Sequence, residues 1–221
     1  MIRRHKSTHL NLSHLSIGNR VAVILAESLF DLPGIESVDL SDNNLTDLSL
    51  VPCIQSFSFI PNLTEINLSF NHIGPKASSA ISDYVSLPHC PLQRLILQNA
   101  NVDDYDCEIF MRQLHKNISL THIDLSSNKI GCLETLNVVK RTVTTGGEAI
   151  AALLRSGNSH LKTLKLGWNM IRLQSAVDLA NSLIFNKTLM YLDLSCNPLG
   201  KDGGDVLGEN LRRFSYFEYF F

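Results

Sequence analysis

The sequence predicts one α/β solenoid in which short parallel β-strands and α-helices alternate along a stack of repeats. Three observations predict it. The frame L-x-x-L-x-L-x-x-N-x-L recurs along the chain, and it returns at a nearly constant interval. The segments between the frames have the apolar period of a helix, as in GNRVAVILAESLFDL, where it appears at Val21, Ile24, Leu25, Leu29 and Leu32.

The frame occurs five times clearly and twice in a weaker form. The weaker copies are THLNLSHLSI at the amino end and LQRLILQNANV in the middle of the chain. Its asparagine position falls at Leu15, Asn43, Asn71, Ala100, Asn128, Asn169 and Asn197. The differences between successive numbers in this series are 28, 28, 29, 28, 41 and 28. We therefore predict a domain of about seven repeats over residues 1–211, followed by an aromatic tail at 212–221.

The frame and its period resemble those of the leucine-rich-repeat family. The regular period of this chain is similar to that of the ribonuclease-inhibitor-like subclass, whose strands are each followed by a full helix. The resemblance implies a curved, horseshoe-shaped solenoid with the parallel sheet on the concave face and the helices on the convex face. It also implies that ligands bind mostly through the concave face.

The frame asparagines are predicted to be structural. The chain must turn sharply from each strand toward its helix, which leaves backbone N–H and C=O groups buried. One short amide side chain carries both a donor and an acceptor, so a ladder of amides can bond these groups between neighbouring turns. The predicted ladder consists of Asn43, Asn71, Asn128, Asn169 and Asn197.

Partner binding is predicted on the concave sheet. Strand side chains alternate, so the residues between the frame leucines face outward. Seven parallel strands about 4.8 Å apart form a surface roughly 30 Å wide, which suits a protein partner. The alternative for each polar residue is simple solvation, and Trp168 is the strongest candidate anchor. The predicted partner-binding residues on this face are Asp39, Glu65, Phe70, Asp124, Lys165, Trp168, Tyr191 and Asp193.

The one long interval, between Asn128 and Asn169, indicates an insertion near residues 132–148. Insertions in repeat proteins form loops that often contact partners, so we predict contacts by Lys140 and Arg141. The alternative is a tolerated loop without a role, because added loop length costs little entropy.

Two further departures from the frame lead to open alternatives. Ala100 interrupts the ladder, and Asn99 or Asn101 could substitute for the missing amide. The tail FSYFEYFF holds six aromatic residues. It either covers the last repeat as a cap, or docks on another chain. A third alternative is a fragment or misread end of the sequence.

Composition excludes several classes of protein. The formal net charge of −2 argues against a generally basic surface that coats nucleic acid. No apolar run reaches the roughly 20 residues of a membrane span, and the amino end lacks the apolar core of a secretory signal. Five cysteines without a C-x-x-C pair favour reduced thiols. We therefore expect a cytoplasmic protein.

No motif indicates catalysis, a metal or a cofactor. His122, Asp124 and Ser126 lie two residues apart along one strand, too far for a hydrolytic triad. We predict a non-enzymatic protein-interaction module or scaffold that needs no cofactor, alone or as a subunit of a larger intracellular assembly. Two alternatives come from the family resemblance, namely an activating accessory of the Ran GTPase and a ribonuclease inhibitor. The missing acidic carboxyl-terminal tract argues against the first, and the low cysteine and repeat counts argue against the second.

Overall fold

The computed structural model describes residues 7–132, 144–156, 160–212 and 219–220. Strands and helices alternate in chain order. The strands are β1 (His9–Asn11), β2 (Ser37–Asp39), β3 (Glu65–Asn67), β4 (Arg94–Ile96), β5 (His122–Asp124), β6 (Thr163–Lys165), β7 (Tyr191–Asp193) and β8 (Tyr219–Phe220). The helices are α1 (Gly18–Leu29), α2 (Asp47–Phe57), α3 (Pro75–Val85), α4 (Asp104–Leu114), α5 (Gly146–Arg155), α6 (Leu173–Ser182) and α7 (Gly200–Leu211).

The strands form one parallel sheet in sequence order, which confirms the predicted solenoid. Each helix packs against the next helix along the chain. Because helices need about 8–10 Å of spacing and strands only about 4.8 Å, the stack curves with the sheet on its inner side. The β5–β6 register pairs His122 with Thr163 and Asp124 with Lys165, so the long interval produces no slip.

The frame leucines form the core between the sheet and the helices. Each full burial of a leucine side chain contributes about 1.5–3 kcal/mol, so the repeated frame supplies most of the packing. The frame leucine directly after the strand is completely buried in five repeats, at Leu40, Leu68, Leu97, Leu125 and Leu166.

The frame asparagines bond neighbouring turns together. The Oδ1 of Asn71 accepts the N–H of Asn43 at 3.2 Å and the N–H of Leu45 at 2.9 Å. Its Nδ2 donates to the carbonyl of Leu40 at 2.9 Å and to the carbonyl of Leu68 at 3.1 Å. Each amide thus serves backbone groups of its own turn and of the preceding turn. The same pattern is present at Asn43, Asn128, Asn169 and Asn197.

At Ala100, which has no side-chain amide, a backbone carbonyl makes a hydrogen bond to the preceding turn. The N–H of Ile73 donates to the carbonyl oxygen of Ala100 at 3.0 Å. Asn99 is exposed, and the Oδ1 of Asn101 accepts a hydrogen bond from the Nζ of Lys129. Neither amide therefore substitutes at the ladder position, contrary to the sequence-based expectation.

The extra residues of the long repeat precede α5. Helix α2 begins four residues after Asn43, whereas α5 begins eighteen residues after Asn128. Residues 146–148, at the carboxyl end of the predicted insertion, belong to α5. Lys140 and Arg141 lie outside the described residues.

Part of the predicted aromatic tail extends the sheet. Tyr219 pairs with Tyr191, and Phe220 pairs with Leu192, as an eighth parallel strand. Tyr219 follows Tyr191 at the same interval at which Tyr191 follows Thr163. The backbone of 219–220 therefore continues the repeat, which neither the capping nor the docking expectation included. The remaining tail residues, 213–218 and 221, lie outside the described part of the chain.

Candidate functional site: the concave sheet and its strand-end edge

The last residue of most strands accepts a side-chain hydrogen bond that ends the strand. The Oδ1 of Asp39 accepts the N–H of Ser41 at 2.9 Å, and the Oδ1 of Asp124 accepts the N–H of Ser126 at 3.0 Å. Such a bond to the residue two positions on is the Asx turn, which stops a strand. These carboxylates therefore have a structural role in addition to the predicted binding role. The residues that share it are Asn11, Asp39, Asn67, Asp124 and Asp193.

Two of the four acidic residues predicted on the face, Glu65 and Asp124, are paired with cations of adjacent strands. The Nε of Arg94 lies 3.1 Å from the Oε2 of Glu65, and the Nζ of Lys165 lies 3.3 Å from the Oδ2 of Asp124. The Oδ2 of Asp39 accepts from the neutral amide of Asn67 at 3.0 Å. The ion pairs therefore match part of the charge of this surface between adjacent strands.

Asp39 and Asp193 differ from Glu65 and Asp124. Among the described residues, neither of these two carboxylates has an ion-pair partner, although Asp39 accepts the amide of Asn67. Gly167 makes room for Asp193, since a Cβ at position 167 would lie 2.9 Å from the Oδ2 of Asp193. Tyr191, at the other end of the same strand, is partly buried. The face therefore carries an acidic side chain without an ion-pair partner at β7, near its carboxyl-terminal side, and another at β2.

The residue before each ladder position has a left-handed backbone. All seven such residues have φ between 48° and 59°, where a residue other than glycine costs about 1–2 kcal/mol. Such strain persists when surrounding bonds hold the backbone in place. Here the N–H of Trp168 donates to the carbonyl of Ser195 at 2.8 Å, and the N–H of Phe70 to that of Gln98 at 2.9 Å. The residues are His14, Asp42, Phe70, Asn99, Ser127, Trp168 and Cys196.

Two of these left-handed residues are the aromatic anchors predicted from the sequence. The side chain of Trp168 is 67% exposed, and Phe70 is 45% exposed. An indole this exposed is unusual, because tryptophan is highly buried on average. The turn bonds hold both backbones in position before any partner binds, so these side chains are presented on fixed supports.

Two exposed apolar residues beside Trp168 were missed by the sequence analysis. Met170 is 37% exposed, and Leu173 is 63% exposed with φ of 48°. We call Trp168, Met170 and Leu173 the repeat-6 apolar loop. The first two residues lie between β6 and α6, and Leu173 is the first residue of α6. A signal was present, because five of the other six repeats place a polar residue at the Met170 position. Those residues are Ser16, Asn44, His72, Asn101 and Lys129.

Three titratable side chains, Cys53, Cys107 and His122, have pKa values that their surroundings shift. Burial raises the pKa of the Cys53 thiol to about 12, and burial with nearby carboxylates raises the pKa of Cys107, so neither is a ready thiolate. Desolvation, with Arg94 and then Lys162, lowers the pKa of His122. The Nδ1 of His122 contacts the hydroxyl of Thr121 at 2.7 Å and not a serine nucleophile.

The described residues contain neither a cluster of metal-ligating side chains nor a membrane-spanning helix. Across residues 7–132, 144–156 and 160–212, no group of three or more histidine, cysteine, aspartate or glutamate side chains could hold a metal ion. In the same part of the chain, no helix combines the length and apolarity that a membrane crossing requires.

Sequence comparison identifies the family. A family profile described as Leucine Rich repeat matches residues 35–52, 60–82, 116–131, 157–180 and 185–208. These matches recur across the stack of strand–helix repeats described above. The chain belongs to the leucine-rich-repeat family, and its strand–helix unit is of the ribonuclease-inhibitor-like type.

Relatives of two kinds support this assignment. The human NACHT, LRR and PYD domains-containing protein 5 is 29% identical over 178 residues, which are 80% of this chain and 14% of that protein. The ribonuclease inhibitor of Sus scrofa is 27% identical over 176 residues, which are 80% of this chain and 36% of that protein. The chain thus spans well under half the length of either relative.

A solved structure gives a looser likeness. The actin-binding site 2 of leiomodin-1 aligns with 85% of this chain and 88% of its own chain, at 17% identity and a TM-score of 0.47. This superposition is too loose to support an argument about function.

Proposed function

We propose that this protein is a non-enzymatic interaction module that binds a protein partner through its concave sheet and the repeat-6 apolar loop. The observation that carries the proposal is Trp168, whose indole is 67% exposed on a left-handed backbone at the end of β6. Large aromatic side chains on rigid supports are the usual anchors of protein interfaces. The family supports a binding role, because leucine-rich repeats are typical protein-interaction domains.

The chemistry of the face suggests the chemistry of the partner. The ion pairs Glu65–Arg94 and Asp124–Lys165 satisfy charges within the sheet, so a partner gains little from opposite charge there. The apolar loop lies at the carboxyl-terminal side, where Asp193 has no ion-pair partner among the described residues. We propose that the partner inserts apolar side chains around Trp168 and places a basic group near Asp193.

The insertion is attached beside this loop. A Cβ on Gly131 would lie 2.3 Å from the carbonyl oxygen of Met170, so the start of the insertion packs on the backbone of the apolar loop. This proximity supports a contribution by Lys140 and Arg141 to the same interface, as the sequence suggests. The module would then act alone or within a larger intracellular assembly.

Affinity capture from native lysate followed by mass spectrometry tests the proposal. The test variant is Trp168→Ala with Met170→Ser, which removes apolar surface without touching the Asx turns. Ile118→Ser is the matched control, because Ile118 is a 72% exposed apolar residue after helix α4. Circular dichroism verifies that all chains fold.

The expected result is a partner that is retained by wild type and Ile118→Ser and is lost or weakened at least tenfold by the double variant. Loss of a central aromatic anchor costs about 2 kcal/mol or more, which is well over tenfold in affinity. A partner that binds all three chains equally would contradict the proposed concave-side interface.

Inhibition of a ribonuclease is a second candidate. It is favoured because 80% of this chain aligns with a ribonuclease inhibitor at 27% identity. Its test is the hydrolysis of RNA by pancreatic ribonuclease at rising concentrations of this protein. Inhibition that saturates at one molar equivalent would support this candidate. Unchanged hydrolysis at a large molar excess would reject it for this ribonuclease.

A further inference from the structure

The convex side carries an apolar groove between α2 and α3. The groove has a volume of about 610 Å³. Phe59 and Leu87, which follow the two helices, are 61% and 43% exposed along it. The ring of Phe30 contacts that of Phe59 at a centroid distance of 4.7 Å, so the apolar surface continues toward α1.

The exposed face of α2 carries no charge. Leu48 is 75% exposed, and the other residues open to solvent on this helix are Val51, Pro52 and Gln55. Asp47 is its only charged residue, and it binds the first turn of α3. By contrast, α4 exposes an ion pair of Glu108 and Arg112. Exposed apolar side chains that lie together along a groove are a feature of interaction sites.

Two charges of opposite sign lie along the groove on α3. Lys76 and Asp83 both line it, and both are exposed. They are seven residues apart, which is two helical turns on one face and about 10.5 Å along the axis. Neither side chain has an ion-pair partner among the described residues. The small residues Ser79 and Ala80 line the groove between them.

This arrangement is complementary to itself. When two copies of α3 lie antiparallel about a twofold axis at Ser79 and Ala80, Lys76 of each copy faces Asp83 of the other copy. A twofold interface uses the same surface on both subunits, so a stripe with one charge of each sign at equal distances from the axis forms two ion pairs. The small residues at the axis allow the helices to approach closely.

We propose that the α2–α3 face is a homodimer interface, in which the second copy of this chain covers the groove. Dimerisation would bury Phe59 and Leu87 and would pair Lys76 with Asp83 twice. The interface lies on the convex side, so both concave sheets remain open. A dimer would then offer two equivalent partner sites and gain avidity for a multivalent partner.

Sedimentation equilibrium over a range of protein concentrations tests the dimer. The wild-type chain should move from the 24.6 kDa mass of one copy to twice that mass as the concentration rises. Lys76→Asp alone and Asp83→Lys alone each create two like-charge contacts. Each is expected to weaken dimerisation on the order of a hundredfold, because facing like charges cost several kcal/mol.

Charge exchange makes the test specific. An equimolar mixture of the Lys76→Asp and Asp83→Lys chains should form a heterodimer, because both pairs are again opposite in sign. The double variant Lys76→Asp/Asp83→Lys should dimerise like wild type. Lys201→Asp is the matched control, since Lys201 is an exposed lysine in the first turn of α7, and it should leave the dimer unchanged.

Three outcomes would overturn the proposal. The first is a wild-type chain that stays at the mass of one copy at the highest soluble concentration. The second is a dimer that both single variants retain. The third is a mixture of the two variants that remains monomeric while each variant has a wild-type circular dichroism spectrum. The concave-side capture experiment is unaffected by any of these outcomes.

Discussion

Asp47 and Asp104 occupy the same position in two repeats, yet they join different parts of the chain. Asp47 begins α2, and its carboxylate accepts the N–H groups of Gly74, Lys76 and Ala77 in the first turn of α3. Asp104 begins α4, and its Oδ1 accepts the N–H of Gly131 at 2.7 Å and the N–H of Gly146 at 2.6 Å.

The difference shows how the stack tolerates an insertion. Gly131 and Gly146 stand on opposite sides of residues 133–143, and their nitrogens share one acceptor atom, so they lie within about 5 Å of each other. The carboxylate that caps the next helix in a regular repeat here also closes the insertion at its base. The β5–β6 register is consequently the same as in the other repeats.

Removing the Asp104 carboxylate should have the largest effect of the changes considered. The side chain is fully buried, and Asp104→Ala leaves two buried N–H groups without their charged acceptor. We expect the free energy of unfolding to fall by about 3–5 kcal/mol, measured by urea denaturation. Asp104→Asn keeps the shape and should cost less. A loss below about 1 kcal/mol for Asp104→Ala would show that other contacts hold Gly131 and Gly146 together.

The next largest effect is expected at Gly131. Its φ is 91°, and an added Cβ would lie 2.3 Å from the Met170 carbonyl oxygen, which is backbone and cannot move away cheaply. Gly131→Ala should lower the free energy of unfolding by about 2–4 kcal/mol. Gly34→Ala is the control, because nothing lies within 4 Å of a Cβ there. Equal stability of the two variants would contradict the close approach.

Asp47→Ala should have a smaller effect than Asp104→Ala. Asp47 is partly exposed, so water can replace its carboxylate at the first turn of α3. We expect a loss of about 1–2 kcal/mol in the same urea experiment, as for other helix caps. Equal losses in the free energy of unfolding for Asp47→Ala and Asp104→Ala would contradict this prediction. They would mean that bonding both ends of the insertion gives Asp104 no more effect on stability than capping a helix gives Asp47.

A pH-dependent effect is expected at Asp106, which lies in the first turn of the same helix as Asp104. Burial raises the pKa of this carboxyl above its ordinary value, and the Asp103 N–H, which donates to its Oδ2 at 3.2 Å, opposes the shift. The folded state therefore holds the proton more tightly than the unfolded chain does. The stability that this provides is complete below the unfolded pKa and is lost as the pH rises through the folded pKa.

Asp106→Asn should remove the loss of stability with rising pH, because an amide does not titrate in this range. The side-chain oxygen of the asparagine can still accept the N–H of Asp103. In urea titrations at a series of pH values above the ordinary aspartate pKa, wild type should lose stability relative to the variant as the pH rises. Glu27→Gln on exposed α1 is the control and should follow wild type. A variant that loses stability in parallel with wild type would contradict the prediction.

The smallest effect is expected from shortening the insertion. Because Asp104 holds its two ends together, replacing residues 133–143 by a short Gly-Ser linker should change the free energy of unfolding by less than about 1 kcal/mol. The same variant tests the proposed partner contacts of Lys140 and Arg141 in the capture experiment. A destabilisation as large as that of Asp104→Ala would mean that the insertion itself supports the stack.

The concave face was partly predictable from the sequence. The repeat alignment places Glu65 beside Arg94 and Asp124 beside Lys165 in adjacent strands, and the structure pairs them. Their mutual neutralisation could therefore have been inferred from the alignment alone. The Asx-turn bonds of Asp39 and its equivalents could not, because they depend on the side-chain rotamer at the point where the strand ends.

Other features had a weaker signal. The eighth strand was hidden because Tyr219 and Phe220 stand in a frame whose leucines are replaced by aromatic residues. The role of Asp104 was hidden because Gly131 and Gly146 are far apart in sequence and meet only in the folded chain. Both depend on contacts between residues far apart in sequence.

By itself, the sequence determined the period, the order of strands and helices, and the positions of the leucine core and the asparagine ladder. These follow from local patterns that every repeat carries, and each repeat stacks on its neighbour in the same register. Only the tertiary structure decided which charges stay unpaired, which apolar side chains remain exposed, and that the groove between α2 and α3 stays open. Those properties depend on distances between side chains from different repeats, which no single repeat specifies.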